Sequence, residues 1–143
     1  MSRSGYCDSF GEDDPLALGR WRSAVRNALG GRRGQAFLAE MLVALDALPE
    51  KRLITSELET NLGGMPFHRG RGDVCALGAV GRARKIDMIL IDPDDAEVVA
   101  DTFGIADAMS REITWVNDEA GSYRETPEQR FERVRAWVAE HIK

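Results

Sequence analysis

The chain has 143 residues, 43% of them hydrophobic and 30% charged, with a net charge of −5. That length gives one domain with a core large enough to hold without disulfides or metals, and the composition is that of an ordinary globular protein. It contains no apolar run near the roughly 18–20 residues needed to cross a bilayer, so no membrane-spanning helix is expected.

The net charge conceals an asymmetry. Residues 1–86 hold 13 Arg/Lys against 10 Asp/Glu (+3), and residues 87–143 hold 6 against 14 (−8). A chain divided in this way does not coat nucleic acid with its whole surface, and the acidic half can pair with the basic one within or between copies. The opening MSRSGYCDSFGEDDP lacks the apolar core of a signal peptide. Without such a signal Cys7 and Cys75 read as free thiols, and the expected compartment is a reducing cytoplasm.

Residues 1–13 read as a flexible polar arm, and residues 14–143 as a single helical domain. Asp14-Pro15 reads as a helix start, with Leu18, Trp21, Val25 and Leu29 forming an apolar stripe and Gly30-Gly31 ending the helix. In GQAFLAEMLVALDALPE, Phe37, Met41, Leu45 and Leu48 share one face, Leu38 and Leu42 flank it, and Pro49 stops it. Residues 51–72 are irregular, and a small β-hairpin fits around residues 52–74. Asp73 then reads as the cap of a helix over about 74–85, and Asp92-Pro93 as a further start. That next helix has Val98, Val99 and Phe103 inward and Gly104 at its close. Ile105, Met109, Ile113 and Val116 form the following stripe, with Asn117 as its C-cap. Finally Thr126-Pro127-Glu128-Gln129 is a capping box that launches a helix with Phe131, Val134, Val138 and Ile142 inward. The fold class is therefore all-α, a compact bundle of about six helices.

Cys75 admits two readings. At the second position of a helix capped by Asp73, backbone N–H groups and the helix dipole would favour a thiolate. His68 could then serve as base and Asn117 or Asp118 could orient it, a Cys-His-Asn arrangement. Alternatively Cys75, Ala76, Gly78, Ala79 and Gly81 are small because another helix packs closely there. The second reading is favoured, because Asp73 opposes a thiolate and His68 lies in a glycine-rich stretch. Cys7, Cys75, His68 and His141 show no metal-ligand spacing, and GGRRGQ and GRGRGD lack the frame of a phosphate loop. No metal or cofactor is expected.

The arginines suggest a surface. Arg22 and Arg26 share a helix face, with Arg32 and Arg33 just beyond its end, and Arg69, Arg71, Arg82, Arg84 and Lys85 form a second cluster. Convergent clusters would suit phosphate, nucleic acid or an acidic protein. Nucleic acid is the weaker expectation, because few aromatics are interleaved with the arginines to stack bases.

Several stretches, RGQAFLAEMLVALDALPEKRLI, GDVCALGAVGRARKIDM, VADTFGIADAMSREI and ETPEQRFERVRAWV, together with MSRSGYCD and NDE, resemble a widespread group of small phage and prophage proteins of bacteria. Cys75, Gly78, Ala79, Asn117, Asp118 and Thr126 are also similar to the C-x-x-G-A, W-N-D and Thr skeleton of a broader family of unknown function. Trp115 departs from it, since Val116 separates it from Asn117. The resemblance implies a setting, a bacterial cytoplasm with phage-derived DNA, and no activity. Together with the small size, the split charge and the absence of a catalytic motif, it favours an accessory protein that binds a protein of host or phage without catalysis, such as a modulator of a host enzyme or defence system. The partner-binding residues would be Arg22, Arg26, Arg32, Arg33, Arg82 and Arg84. The alternatives are a small enzyme using Cys75 with His68, and a nucleic-acid module using the arginines.

Overall fold

A computed structural model describes residues 2–6, 14–60 and 72–143, and the structural statements here concern those residues. They form six α-helices: α1 (Ala17–Gly30), α2 (Arg32–Asp46), α3 (Ala76–Ala83), α4 (Ala96–Phe103), α5 (Asp107–Asp118) and α6 (Pro127–His141). No strand occurs among the described residues, and the all-α bundle read from the sequence is what forms. The hairpin expected around 52–74 is reduced to one isolated antiparallel bridge between Glu59 and Val74. Thr60 N donates to Asp73 O (2.8 Å), Cys75 N to Leu58 O (3.1 Å) and Ile54 N to Val74 O (3.0 Å). These bonds tie the loop to the start of α3 from two sides and do not extend into a ladder. Residues 61–71 lie outside the described residues.

The short, almost wholly buried α3 is the centre of the bundle. Every residue from Ala76 to Gly81 is buried, which its run of small and apolar side chains permits. It packs against α2 and α5; α2 also meets α1 and α6, and α5 meets α1, α4 and α6. Phe37, Met41, Leu45, Leu77, Ile113, Val134 and Val138, all on the apolar stripes, are buried as expected. Leu18 and Val98 are not, at 54% and 44% exposed. Leu18 falls in the first turn of α1, ahead of the buried Val25 and Leu29. On α4 the pair Val99 and Phe103, four apart, takes the inward side and turns Val98 outward.

Three helix starts differ from those the sequence indicated. Asp14 accepts from Leu16 N (2.9 Å) in a turn, so α1 begins only at Ala17. Asp92 accepts from Asp94 N (2.9 Å), and Asp95 caps α4 through Val98 N (3.2 Å). An aspartate that bonds the backbone two residues ahead makes a local turn and delays the helix. Asp73 pairs with Arg52 Nε (2.7 Å), and Cys75 takes its place as the N-cap of α3. Only Thr126 behaves as written, with both hydrogen bonds of its capping box present.

Candidate functional site

The structure brings Cys75 and Asn117 together at the start of α3. Cys75 is 1% exposed, and its Sγ accepts from Gly78 N at 3.4 Å. Asn117 lies within the last turn of α5, not beyond it as a C-cap, and its side chain is fully committed. Its Oδ1 accepts from Ala76 N (3.0 Å), an amide at the α3 start that has no partner inside the helix. Its Nδ2 donates to Ile54 O and to Asp118 Oδ1, both at 2.8 Å. An asparagine engaged at both ends holds the α3 start against α5 and the 51–60 loop; neither end is free to orient an imidazole. His68 lies outside the described residues.

Arg3 closes the cluster. Its Nε and Nη2 donate to the two carboxylate oxygens of Asp118, each at 2.7 Å, and its Nη1 lies 4.0 Å from Cys75 Sγ. The Arg3 side chain is 3% exposed. Burial works against its charge, but the Cys75 sulfur and the Asp118 carboxylate outweigh that and hold the guanidinium above its ordinary pKa. Arg3 lies in MSRSGYCD, one of the stretches that carry the resemblance, but no pattern assigned it a structural role, because Ser2-Arg3-Ser4 has neither periodicity nor an apolar neighbour and reads as part of a flexible arm. Residues 2–6 instead lie against α5, with Ser4 fully buried. Ser2 and Ser4 hydroxyls meet Glu119, the latter at 3.2 Å. Tyr6 Oη donates to Glu112 Oε1 (3.0 Å) and accepts from Trp21 Nε1 (2.8 Å). Burial pushes the Tyr6 hydroxyl well above its ordinary pKa; the Trp21 bond opposes this and Glu112 adds to it.

The arginine clusters do not converge. Arg22 forms a two-pronged pair with the buried Glu112 (2.8 and 3.0 Å). Arg84 does the same with Glu40 (2.8 and 2.6 Å) and also donates to Phe103 O (3.0 Å). Arg82 donates to Gly72 O and lies 3.8 Å from Glu59. Three of the six arginines read as partner-binding are thus drawn to three different parts of their own chain. Arg26, Arg32 and Arg33 remain exposed, the last two in the first turn of α2 beside a recess of about 200 Å³. Arg69 and Arg71 lie outside the described residues.

The acidic half differs. Asp87, Asp92, Asp94, Asp95, Glu97 and Asp101 are all exposed, and none forms an ion pair with a described residue. Between and beside them Ile89 and Leu90 are 70% and 86% exposed. A cleft of about 820 Å³ has Asp94 in its lining together with Arg3, Ser56, Asp118 and Tyr123. Among the described residues no three His, Cys, Asp or Glu side chains are grouped to hold a metal ion, and no helix is long and apolar enough to cross a membrane. Compared with protein-family models, with characterised proteins and with solved structures, the chain matches none.

Proposed function

We propose that this chain is a small accessory protein of phage or prophage type, working in a bacterial cytoplasm by binding a protein partner without catalysing a reaction. The observation that carries the reading is the surface of residues 87–101, where six exposed carboxylates without a cationic partner among the described residues flank exposed Ile89 and Leu90. Exposed apolar side chains beside a run of carboxylates have the composition of a docking surface: the apolar part supplies affinity, and the charge supplies specificity and rate of encounter. Arg82 and Lys85 share a recess with Ile89, so the acidic character lies toward Leu90 and the residues after it. Such a face suits a basic protein. The buried, hydrogen-bonded state of Cys75 supports binding over thiol catalysis. The intramolecular pairs of Arg22, Arg82 and Arg84 weigh against nucleic acid, since they remove half of the arginines that would meet phosphate.

The test is affinity capture from bacterial lysate, comparing the native chain with the surface variant Leu90→Ser/Asp92→Asn/Asp94→Asn. A specific partner should be retained by the native chain and lost by about tenfold or more with the variant, a change of about 1.4 kcal/mol or more. Equal capture by a folded variant would exclude this surface.

A further inference from the structure

Residues 2–6 are held to the bundle in an unusual way. None belongs to the hydrophobic core. Their anchors are mainly polar: Arg3 on Asp118, Ser2 and Ser4 on Glu119, Tyr6 on Glu112 and Trp21, and Arg111 Nη1 on Ser4 O at 3.4 Å, with the Tyr6 ring also packed between Trp21 and Trp115. The receiving groups belong to α5, its end and α1, and Asp118 is held in place without the segment. Asp118 Oδ1 accepts from Asn117 Nδ2 (2.8 Å) and Asp118 Oδ2 lies 3.4 Å from Ser56 N. These bonds fix the carboxylate so that both its oxygens face the Arg3 guanidinium, the geometry in which arginine is recognised better than lysine.

The pocket is open on one side. Ser2, Arg3, Asp118 and Glu119 form part of the lining of the 820 Å³ cleft, which also includes Asp94 and Tyr123, the latter 90% exposed. We infer that the pocket at Asp118 is a recognition site for an arginine-bearing protein segment, and that the chain's own Ser2–Tyr6 occupies it here as a tethered competitor. A partner's arginine would take the place of Arg3. The rest of its segment would lie in the cleft, where Asp94 favours further positive charge; the Tyr123 ring there already carries the chain's own Arg124, 5.4 Å from its centroid. The inference takes its partner class from the protein-binding reading, and the cleft meets the 87–101 surface at Asp94. A tethered segment competes at an effective concentration of about millimolar, so an incoming segment needs several contacts beyond the arginine.

The experiment uses the full chain with Cys7→Ser, which leaves Cys75 as its one thiol. Its readouts are the rate of Cys75 labelling by a disulfide reagent and the fluorescence of Trp21 and Trp115, whose rings flank Tyr6 at 6.0 and 6.1 Å. Arg3→Ala should stay helical by circular dichroism and label about tenfold faster, the effect of an opening equilibrium shifted by about 1.4 kcal/mol. A capped Ser-Arg-Ser-Gly-Tyr peptide at about millimolar concentration, the range set by the tether it replaces, should slow labelling again and change the fluorescence. The same peptide with alanine for arginine should do neither. A folded Arg3→Ala chain that labels as slowly as its parent, or that ignores the arginine peptide, overturns the inference. Should Arg3→Ala fail to fold because Asp118 is left unpaired, Arg3→Ala/Asp118→Asn removes both charges. Fast labelling in the folded double variant supports a detachable segment; slow labelling, or failure to fold, shows that the segment is part of the fold and refutes it. Because only the purified chain and a synthetic peptide are used, this result is independent of the lysate capture that tests the protein-binding reading.

Discussion

Asn117 Oδ1 accepts the backbone N–H of Ala76 at 3.0 Å, so the first turn of α3 is capped by a side chain 41 residues away. The same side chain binds Ile54 O, joining α3, α5 and the 51–60 loop at one point. Asn117→Ala leaves an amide and a carbonyl without partners at a site that is 1% exposed. Each buried unsatisfied group costs about 1–3 kcal/mol, so the loss should exceed that of a typical surface substitution several-fold. Urea unfolding measures it; a change under about half a kcal/mol would mean that water replaces both bonds.

Cys75 should tolerate serine better than alanine. Its Sγ accepts from Gly78 N, and serine is a stronger N-cap acceptor, so Cys75→Ser should change stability by less than about 1 kcal/mol. Cys75→Ala loses the cap, about 0.5–2 kcal/mol. Cys75→Leu should be worse still, through overpacking of about 1–3 kcal/mol. Thermal melts of the three variants give the order; alanine above serine would show that the sulfur is only filling space.

Gly78 faces the chain rather than another helix. A Cβ built there would strike the carbonyl of Leu58, whose oxygen already receives Cys75 N. Because the obstacle is backbone, Gly78→Ala must shift the loop and should cost about 1–3 kcal/mol, opposite in sign to the usual gain from alanine in a helix. A stabilised Gly78→Ala protein would contradict the packing at this point.

How much of this could be read beforehand depended on the range of the interactions. The stripes through Met41, Leu45, Ile113 and Val134 are periodic, and they placed the core. The Thr126 cap is local, with both partners within three residues, and it was legible in full. Asp14 and Asp92 were misread because an aspartate before proline serves a turn as readily as a helix, and sequence alone does not separate the two. The cluster around Cys75 was legible only as a bare association of Cys75 with Asn117. What each residue does there depends on Arg3, Ile54 and Ala76, brought together by the tertiary fold. The small residues of α3 did signal close packing, although at Gly78 the neighbour is a loop and not the helix that such a pattern suggests.

Stability should fall on acidification. Glu40, Asp46 and Glu125 are held below the ordinary carboxylate pKa, chiefly by hydrogen bonds from Arg84, Arg135 and Arg133, with burial opposing. A carboxylate depressed in the folded state stabilises it fully above the unfolded value of about 4, and that stabilisation is lost as pH falls through the folded value. The Glu40–Arg84 pair is about a third exposed, so solvent screening limits its contribution to about 0.2–1 kcal/mol. Denaturant midpoints from neutral pH downward should fall for the native chain and fall less for Glu40→Gln. Identical acid slopes would remove Glu40 from the account.

The docking proposed for the acidic, apolar surface around Leu90 requires no thiol chemistry at Cys75. A photo-crosslinking residue placed at Leu90, 86% exposed, tests it against the same group at Val43 on α2, 70% exposed. The expected result is a specific protein adduct from position 90, none from position 43, and an undiminished adduct when Cys75→Ser is added. Crosslinking from position 43 alone would contradict docking at Leu90, and loss of the adduct in a folded Cys75→Ser chain would contradict a purely structural Cys75.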